Sequence, residues 1–149
     1  MCWKFLLREL KLVAQSLSKK LLFIALSIAK ERLERHPEFI SRGFIHFSFI
    51  VYNKKIISIG HNRCGKNPPQ YGYENHSKIH SEVDAWRKAR GLLKGDSFDV
   101  INIRLNRFGK FKNSRPCKNC IYLLQELGCK NFYYTTNLLG QFKTIKRTR

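Results

Sequence analysis

The sequence predicts an α/β fold of three αβα layers, with one mixed β-sheet of about five strands and helices on both faces. Three observations carry this. Element signals run in the order helix, hairpin, helix, strand, helix, strand, strand. The first strand segment, GFIHFSFIVYN (43–53), is apolar on both faces, so both need cover. The 149 residues fit one domain spanning 1–149, long enough to bury roughly 70% of the surface the unfolded chain exposes.

The first helix is expected from about Val13 to Arg35, where Val13, Leu17, Leu21, Ile24, Ile28 and Leu33 recur every three to four residues. Residues 1–14 would extend it at the N-terminus, and Pro37 would end it. The hairpin follows as 43–53, a turn at NKK, and IISIG (56–60). HNRCGKNPPQYGYENHSK (61–78) is turn-rich and too long for a plain connector, which predicts a binding loop or lid. A helix should run from Ile79 or His80 to about Ala89, with Gly91 near its end. FDVINIRLN (98–106) sets Val100 and Asn102 against Ile101 and Ile103, a strand pattern. The last helix spans Cys117 to about Leu127 and stops at Gly128. CKNFYYTTN (129–137) is a strand, and GQFKTI (140–145) a short edge strand.

Composition narrows the function classes. Hydrophobic residues make up 43% and aromatics 13%, so the chain belongs with folded proteins rather than disordered ones. The longest greasy run, Leu21 to Ala29, is under half of the roughly 20 residues a membrane span needs, and no secretory cleavage pattern precedes it. A cytoplasmic protein without a membrane partner is expected. Five cysteines in such a setting point to metal or chemistry before disulfides. Lys and Arg number 29 against 10 acids, a net charge of +19. That field attracts nucleotides, RNA or single-stranded DNA, although biased codon use also enriches lysine.

Two short motifs carry chemistry. Cys117 and Cys120 stand three apart at a helix start, so their sulfurs share a face, and the positive helix end favours thiolates. Alone, that spacing also fits a structural half-site, a redox pair or two small buried side chains. His80 and Glu82 lie about 200° apart on a helical wheel and converge only if the chain is just entering its helix there. His80, Cys117 and Cys120 would make three N/S ligands, a set that suits zinc with a fourth position left to water. Zinc lowers that water's pKa toward about 7, and Glu82 would move its proton. A rival set adds His76, four before His80, to close the site with four ligands. The protein would then be a non-catalytic basic nucleic-acid-binding module with a structural zinc.

HSE followed across one strand by PCKNC resembles the zinc-dependent cytidine and deoxycytidylate deaminase superfamily, whose signature is H-x-E…P-C-x-x-C. The resemblance spans roughly 15–145 and implies a cytidine-deaminase-like fold. It implies that His80, Cys117 and Cys120 ligate zinc, that Glu82 shuttles protons, and that Asn62 of GHN meets the sugar or base. Pro116 matches the signature. Ser81 stands where the commoner pattern has Ala, and Ser114-Arg115 before Pro116 ties to no one substrate class, though Ser81, Ser114, Arg115 and Pro116 are all expected at the substrate side. The implied reaction is hydrolytic conversion of a cytosine base to uracil with release of ammonia, on free cytidine or a dCMP-type nucleotide. The alternative is editing of a base, C or A, in RNA or single-stranded DNA. Arg104, Arg107, Lys110, Lys112, Arg115 and Lys118 would hold a phosphate or track a strand, and Tyr71, Tyr73 and Asn75 would close over the substrate. Proteins of this family often assemble, so a homo-oligomer fits. His46 reads as a core histidine, Cys64 as a spare thiol and Trp86 as core.

Overall fold

The structure is a computed structural model that describes residues 11–12, 17–41, 45–73 and 78–147. Its elements are β1 (Lys11–Leu12), α1 (Lys19–Arg35), α2 (Pro37–Ser41), β2 (Ile45–Tyr52), β3 (Lys55–His61), β4 (Arg63–Cys64), β5 (Lys78–Ile79), α3 (Ser81–Leu93), β6 (Phe98–Leu105), β7 (Phe111–Lys112), α4 (Lys118–Glu126), β8 (Cys129–Thr135) and β9 (Gln141–Lys146). A 3-10 turn spans Pro69–Tyr71. No helix of the described residues is long and apolar enough to cross a membrane.

The sheet is mixed, in the order β1-β9-β8-β6-β2-β3. β6 and β8 run parallel, while β2 pairs antiparallel with both β6 and β3. β7 lies beside β6 at Arg104 and Leu105, beyond the last β8 partner, Asn102. All five expected strands are present, and β1 and β7 add two residues each. β9 differs from expectation in not being an edge along its whole length, since β1 pairs parallel with Gln141 and Phe142.

Each face of the sheet carries its own buried cluster. Phe47, Phe49, Ile101, Ile103 and Tyr133 pack with α1 through Leu22, Ala25, Leu26, Ala29 and Leu33. Ile50, Val100 and Phe132 pack with α3 and α4 through Val83, Ala89 and Leu124. The double-sided apolar character of residues 43–53 therefore has the expected cause.

The first helix corrects the sequence expectation in two ways. It begins at Lys19, capped by Ser18, whose Oγ accepts from Leu21 N at 3.3 Å. Val13 lies outside the described residues, and Lys11–Leu12 are strand rather than a helical extension. Leu17 is buried although it precedes the cap, in the same cluster as Leu22. These are the two positions of a hydrophobic staple, and a staple prolongs helical periodicity past the end of the helix. The buried stripe also runs through Ala25 and Ala29, leaving Ile24 exposed. Small residues there let the helix lie close over a sheet already filled by Phe47 and Phe49. Likewise α3 continues past Gly91, because Leu93 is buried, and ends at Lys94 with φ 48°.

Two features place the helices that bear the motifs. The hairpin turn has Asn53 and Lys54 both at positive φ, 49° and 60°, the two-residue geometry that matches strand twist. Gly60 has no room for a side chain, since a Cβ would strike the backbone of Ser81 and Ala85. α3 thus rests directly on β3. Buried Asp84 fastens it, accepting from His61 N at 3.2 Å and pairing with Arg63 and Lys88 at 2.7 and 2.8 Å.

Candidate metal and catalytic site

β3 and β6 run in the same direction, and each is followed by a segment leading to a helix. The N-termini of α3 and α4 therefore both lie beyond the carboxyl ends of these strands, where open α/β sheets bind ligands. His80 is the N-cap of α3, with φ −70° and ψ 147°. The helical wheel does not apply to an extended N-cap, and this removes the obstacle that 200° posed. Its side chain makes no cap bond, and Cys117 is the N-cap of α4.

The two helix starts bring three donors together. His80 Nδ1 lies 3.6 Å from Cys117 Sγ and 3.5 Å from Cys120 Sγ, and all three donor atoms are within 4.8 Å of one another. A tetrahedral ion with ligands at about 2.0–2.3 Å separates a nitrogen and a sulfur by about 3.6 Å. The donor set therefore fits a tetrahedral metal. Among the described residues no fourth His, Cys, Asp or Glu joins the group. His76, the fourth ligand of the rival set, lies outside the described residues.

Without an ion the cluster holds protons that a metal must displace. Hydrogen bonding with Cys120 draws the Cys117 thiol down to about 4 against the opposing effect of burial, and His80 helps. Cys120 goes up, through its bond to Cys117 and through burial. The Cys117 sulfur raises His80 by hydrogen bonding, with burial opposing. Metal needs the imidazole neutral and both sulfurs ionised. Affinity should therefore fall as pH falls, because His80 and Cys120 hold their protons more tightly than free groups do. Titration in weakly buffered solution should show protons released as metal binds, and a pH-independent affinity would contradict this arrangement.

Glu82 sits one residue inside α3 and is 6% exposed. Its Oε1 accepts from Asn102 Nδ2 at 2.8 Å and its Oε2 from Ser81 Oγ at 3.3 Å. Asn102 Oδ1 accepts from Ser48 Oγ at 2.7 Å, and Ser48 Oγ is 2.8 Å from Ser81 Oγ. Burial pushes the Glu82 carboxyl above its usual range, opposed by backbone and Asn102 hydrogen bonds and by His80. A carboxyl in that position can hold a proton and give it back.

These groups open on a cleft of about 320 Å³ lined by His46, Asn62, Ile79, Glu82, Arg115 and Cys117, among others. Asn62 Oδ1 accepts from His46 N at 3.2 Å. His46 is part of the cleft wall, a difference from its reading as a core histidine. Burial, then Arg104 and His80, bring it down to about 4, so it is neutral at physiological pH. Of the candidates named from sequence, His80, Ser81, Glu82, Asn62, Arg115 and Cys117 line the cleft, and Cys120 lies behind them, fully buried.

Others sit elsewhere. Ser114 is buried, and its hydroxyl donates to Asn102 O at 2.8 Å and lies 2.8 Å from Thr135 Oγ1, bracing β6 against β8. Pro116 is buried just before the α4 cap. Arg104 Nη1 donates to Asn113 O at 3.4 Å, and Arg107 lies over the exposed Phe108 ring, 4.8 Å from its centroid. Tyr71 and Lys118 line a separate groove with Tyr122. Tyr73 reaches the cluster of His80, Cys117 and Cys120 itself, with its Oη 2.9 Å from Cys120 Sγ. Burial, then the charge of Cys120, raise its phenol, so it stays protonated.

Sequence reasoning passed over Asn102, Ser48 and Asn67. Asn67 Oδ1 accepts from His80 N at 3.0 Å, while its Nδ2 donates to Lys78 O at 2.9 Å, holding the entry to α3. A signal existed for Asn102 and Ser48. Both are polar residues inside apolar strands, and an unpaired buried polar group costs about 1–3 kcal/mol, so each calls for a partner.

No family model matches the chain, and no curated protein does. Among solved structures it is similar to the dCMP deaminase of cyanophage S-TIM5. The apo form is 17% identical over 70% of this chain and 79% of that one, with a TM-score of 0.40. The same enzyme in complex with dCMP and dUMP is 16% identical over 70% and 77%, also with a TM-score of 0.40. So distant a likeness leaves the reading of this chain to its own residues.

Proposed function

We infer that this chain is a zinc-dependent hydrolytic deaminase that converts a cytosine base to uracil, on free cytidine or a dCMP-type nucleotide. The observation that carries the reading is a three-donor N/S/S cluster, joined by no fourth ligand among the described residues, beside a cleft that the buried Glu82 carboxyl lines. The H-x-E…P-C-x-x-C pattern points the same way.

His80, Cys117 and Cys120 would hold the zinc, which when bound supplies the Lewis acidity that makes water nucleophilic near neutral pH. The remaining work belongs to the chain. Glu82 takes a proton from the attacking water and delivers it to the ring nitrogen, then carries the remaining hydroxyl proton to the amino group, which leaves as ammonia. The water oxygen stays on C4 as the new carbonyl, and the C4–N bond breaks, so atoms balance. Asn102 fixes Oε1 at 2.8 Å, while Oε2, which accepts the longer 3.3 Å bond from Ser81 Oγ, is the oxygen that carries the proton. Asn62 has its Oδ1 engaged by His46 N, leaving its Nδ2 for a sugar hydroxyl or base carbonyl. Ile79 and neutral His46 form walls suited to an uncharged ring.

A second reading, that the base is part of RNA or single-stranded DNA, is favoured by one feature. Arg115 lines both the cleft and a neighbouring cavity of about 330 Å³ with Asn113, Tyr134, Thr136, Asn137 and Lys143. No carboxylate lines that cavity among the described residues, and Glu126 is the sole acid between residues 100 and 149. Cytidine, CMP, dCMP and short cytosine-containing oligonucleotides should be compared by ammonia and uracil release. Turnover of monomers supports the first reading. Turnover of oligonucleotides alone, with a steep salt dependence, replaces it with the second. No release from any of them discards the deaminase.

A further inference from the structure

We propose that Tyr73 is a positioning residue of the metal centre, donating its hydroxyl hydrogen to the Cys120 sulfur and so setting how strongly that sulfur binds the ion. This rests on the metal-binding part of the reading above and not on the substrate.

The hydroxyl stands 2.9 Å from Cys120 Sγ, and the ring meets His80 edge-on, 5.1 Å between centroids and 81° between planes. One side chain thus touches two of the three ligands. Cys120 is fully buried, so water cannot solvate the charge its sulfur carries once ligated. A ligating thiolate has no proton to give, and the phenol must then be the donor.

The loop that delivers Tyr73 is fastened to the helix that carries the sulfurs. Its 3-10 turn ends at Gly72, with φ 76°. Gly72 O accepts from Asn119 Nδ2 at 3.0 Å, and Asn119 lies next to Cys120 on α4. Tyr71 Oη donates to Glu126 Oε2 at 2.9 Å, and its ring lies 6.1 Å from that of Tyr122. Three attachments along one helix hold the phenol in register with the sulfur two residues after the turn.

A donor on a thiolate withdraws electron density from it, and outer partners of metal ligands typically affect metal affinity by about 10–100-fold. Tyr73→Phe keeps the ring against His80 and removes only the donor. With cobalt(II) as the probe, the sulfur-to-metal charge-transfer band of Tyr73→Phe should move to longer wavelength. Zinc affinity, measured by chelator competition, should nevertheless fall by about 10-fold or more, because the fully buried Cys120 sulfur loses the hydrogen bond that stabilises its ionised form against the proton. Tyr71→Phe, which loosens the same loop without touching a ligand, should leave the band in place.

An unchanged band and affinity in Tyr73→Phe would overturn the proposal, as would equal shifts in both variants, which would assign the effect to loop packing. Should Tyr73→Phe fail to fold, protein made with 3-fluorotyrosine, whose hydroxyl is the stronger donor, should show the band at shorter wavelength, because Tyr73 carries the hydroxyl that meets the Cys120 sulfur, and an unmoved band there would count against the proposal. Wild-type protein that binds cobalt normally yet deaminates nothing would discard the deaminase alone. Wild-type protein that takes up no cobalt overturns both.

Discussion

In the Glu82→Gln protein, zinc content is expected to equal that of the parent while deamination falls by about 10²–10⁴-fold, the range supplied by a positioned acid–base group. Glutamine has nearly the same shape, and its carbonyl oxygen can accept from Asn102 Nδ2 as Glu82 Oε1 does at 2.8 Å. The site therefore keeps its packing. What is lost is the ability to take a proton and return it. Metal analysis and an ammonia assay on the same sample separate the two effects. If the glutamine variant retained turnover within a few fold of the parent, the proton shuttle would have to be assigned to another group.

Chelation should destabilise the protein strongly, and Cys120→Ser should reproduce that loss in a form that added zinc cannot rescue. The three donors come from two helix starts separated by 37 and 40 residues in sequence, so a metal across them ties α3 to α4 in the folded state only. A ligand that binds only the folded state at a thousand times its Kd stabilises by about 4 kcal/mol. At about 2–4 °C per kcal/mol for a chain of this size, Tm should drop by about 8–16 °C on chelation. Thermal unfolding with and without zinc measures it. A Tm indifferent to chelator in the wild type would mean that the cluster holds no metal.

The layer order was readable from sequence because local signals suffice for it. Alternation in 98–106 separates Ile101 and Ile103, which face α1, from Val100 and Asn102, which face α3 and α4. The pairing of Cys117 with Cys120 was readable because the two stand three apart at a helix start. The start of α1 was not, because buried Leu17 keeps the helical rhythm from a position outside the helix. The basic residues near the motif were not sorted either. Arg115 lines the cleft, whereas Lys118, three positions on, lines a different groove. Proximity in sequence says little about direction once a helix begins between two residues.

The amino-acid sequence by itself determined the chemical kinds present: one imidazole and two sulfurs at metal-grade spacing, a carboxylate two residues from the imidazole, and a strongly basic chain. Only the tertiary structure decided that these groups meet. Ser48 and Asn102 stand opposite each other because of the register between β2 and β6, and Glu82 lies over them because Gly60 lets α3 rest on β3. Side-chain hydrogen bonds across 20 to 54 residues of chain depend on strand pairing and close packing, which are long-range and leave no pattern in any short stretch of sequence.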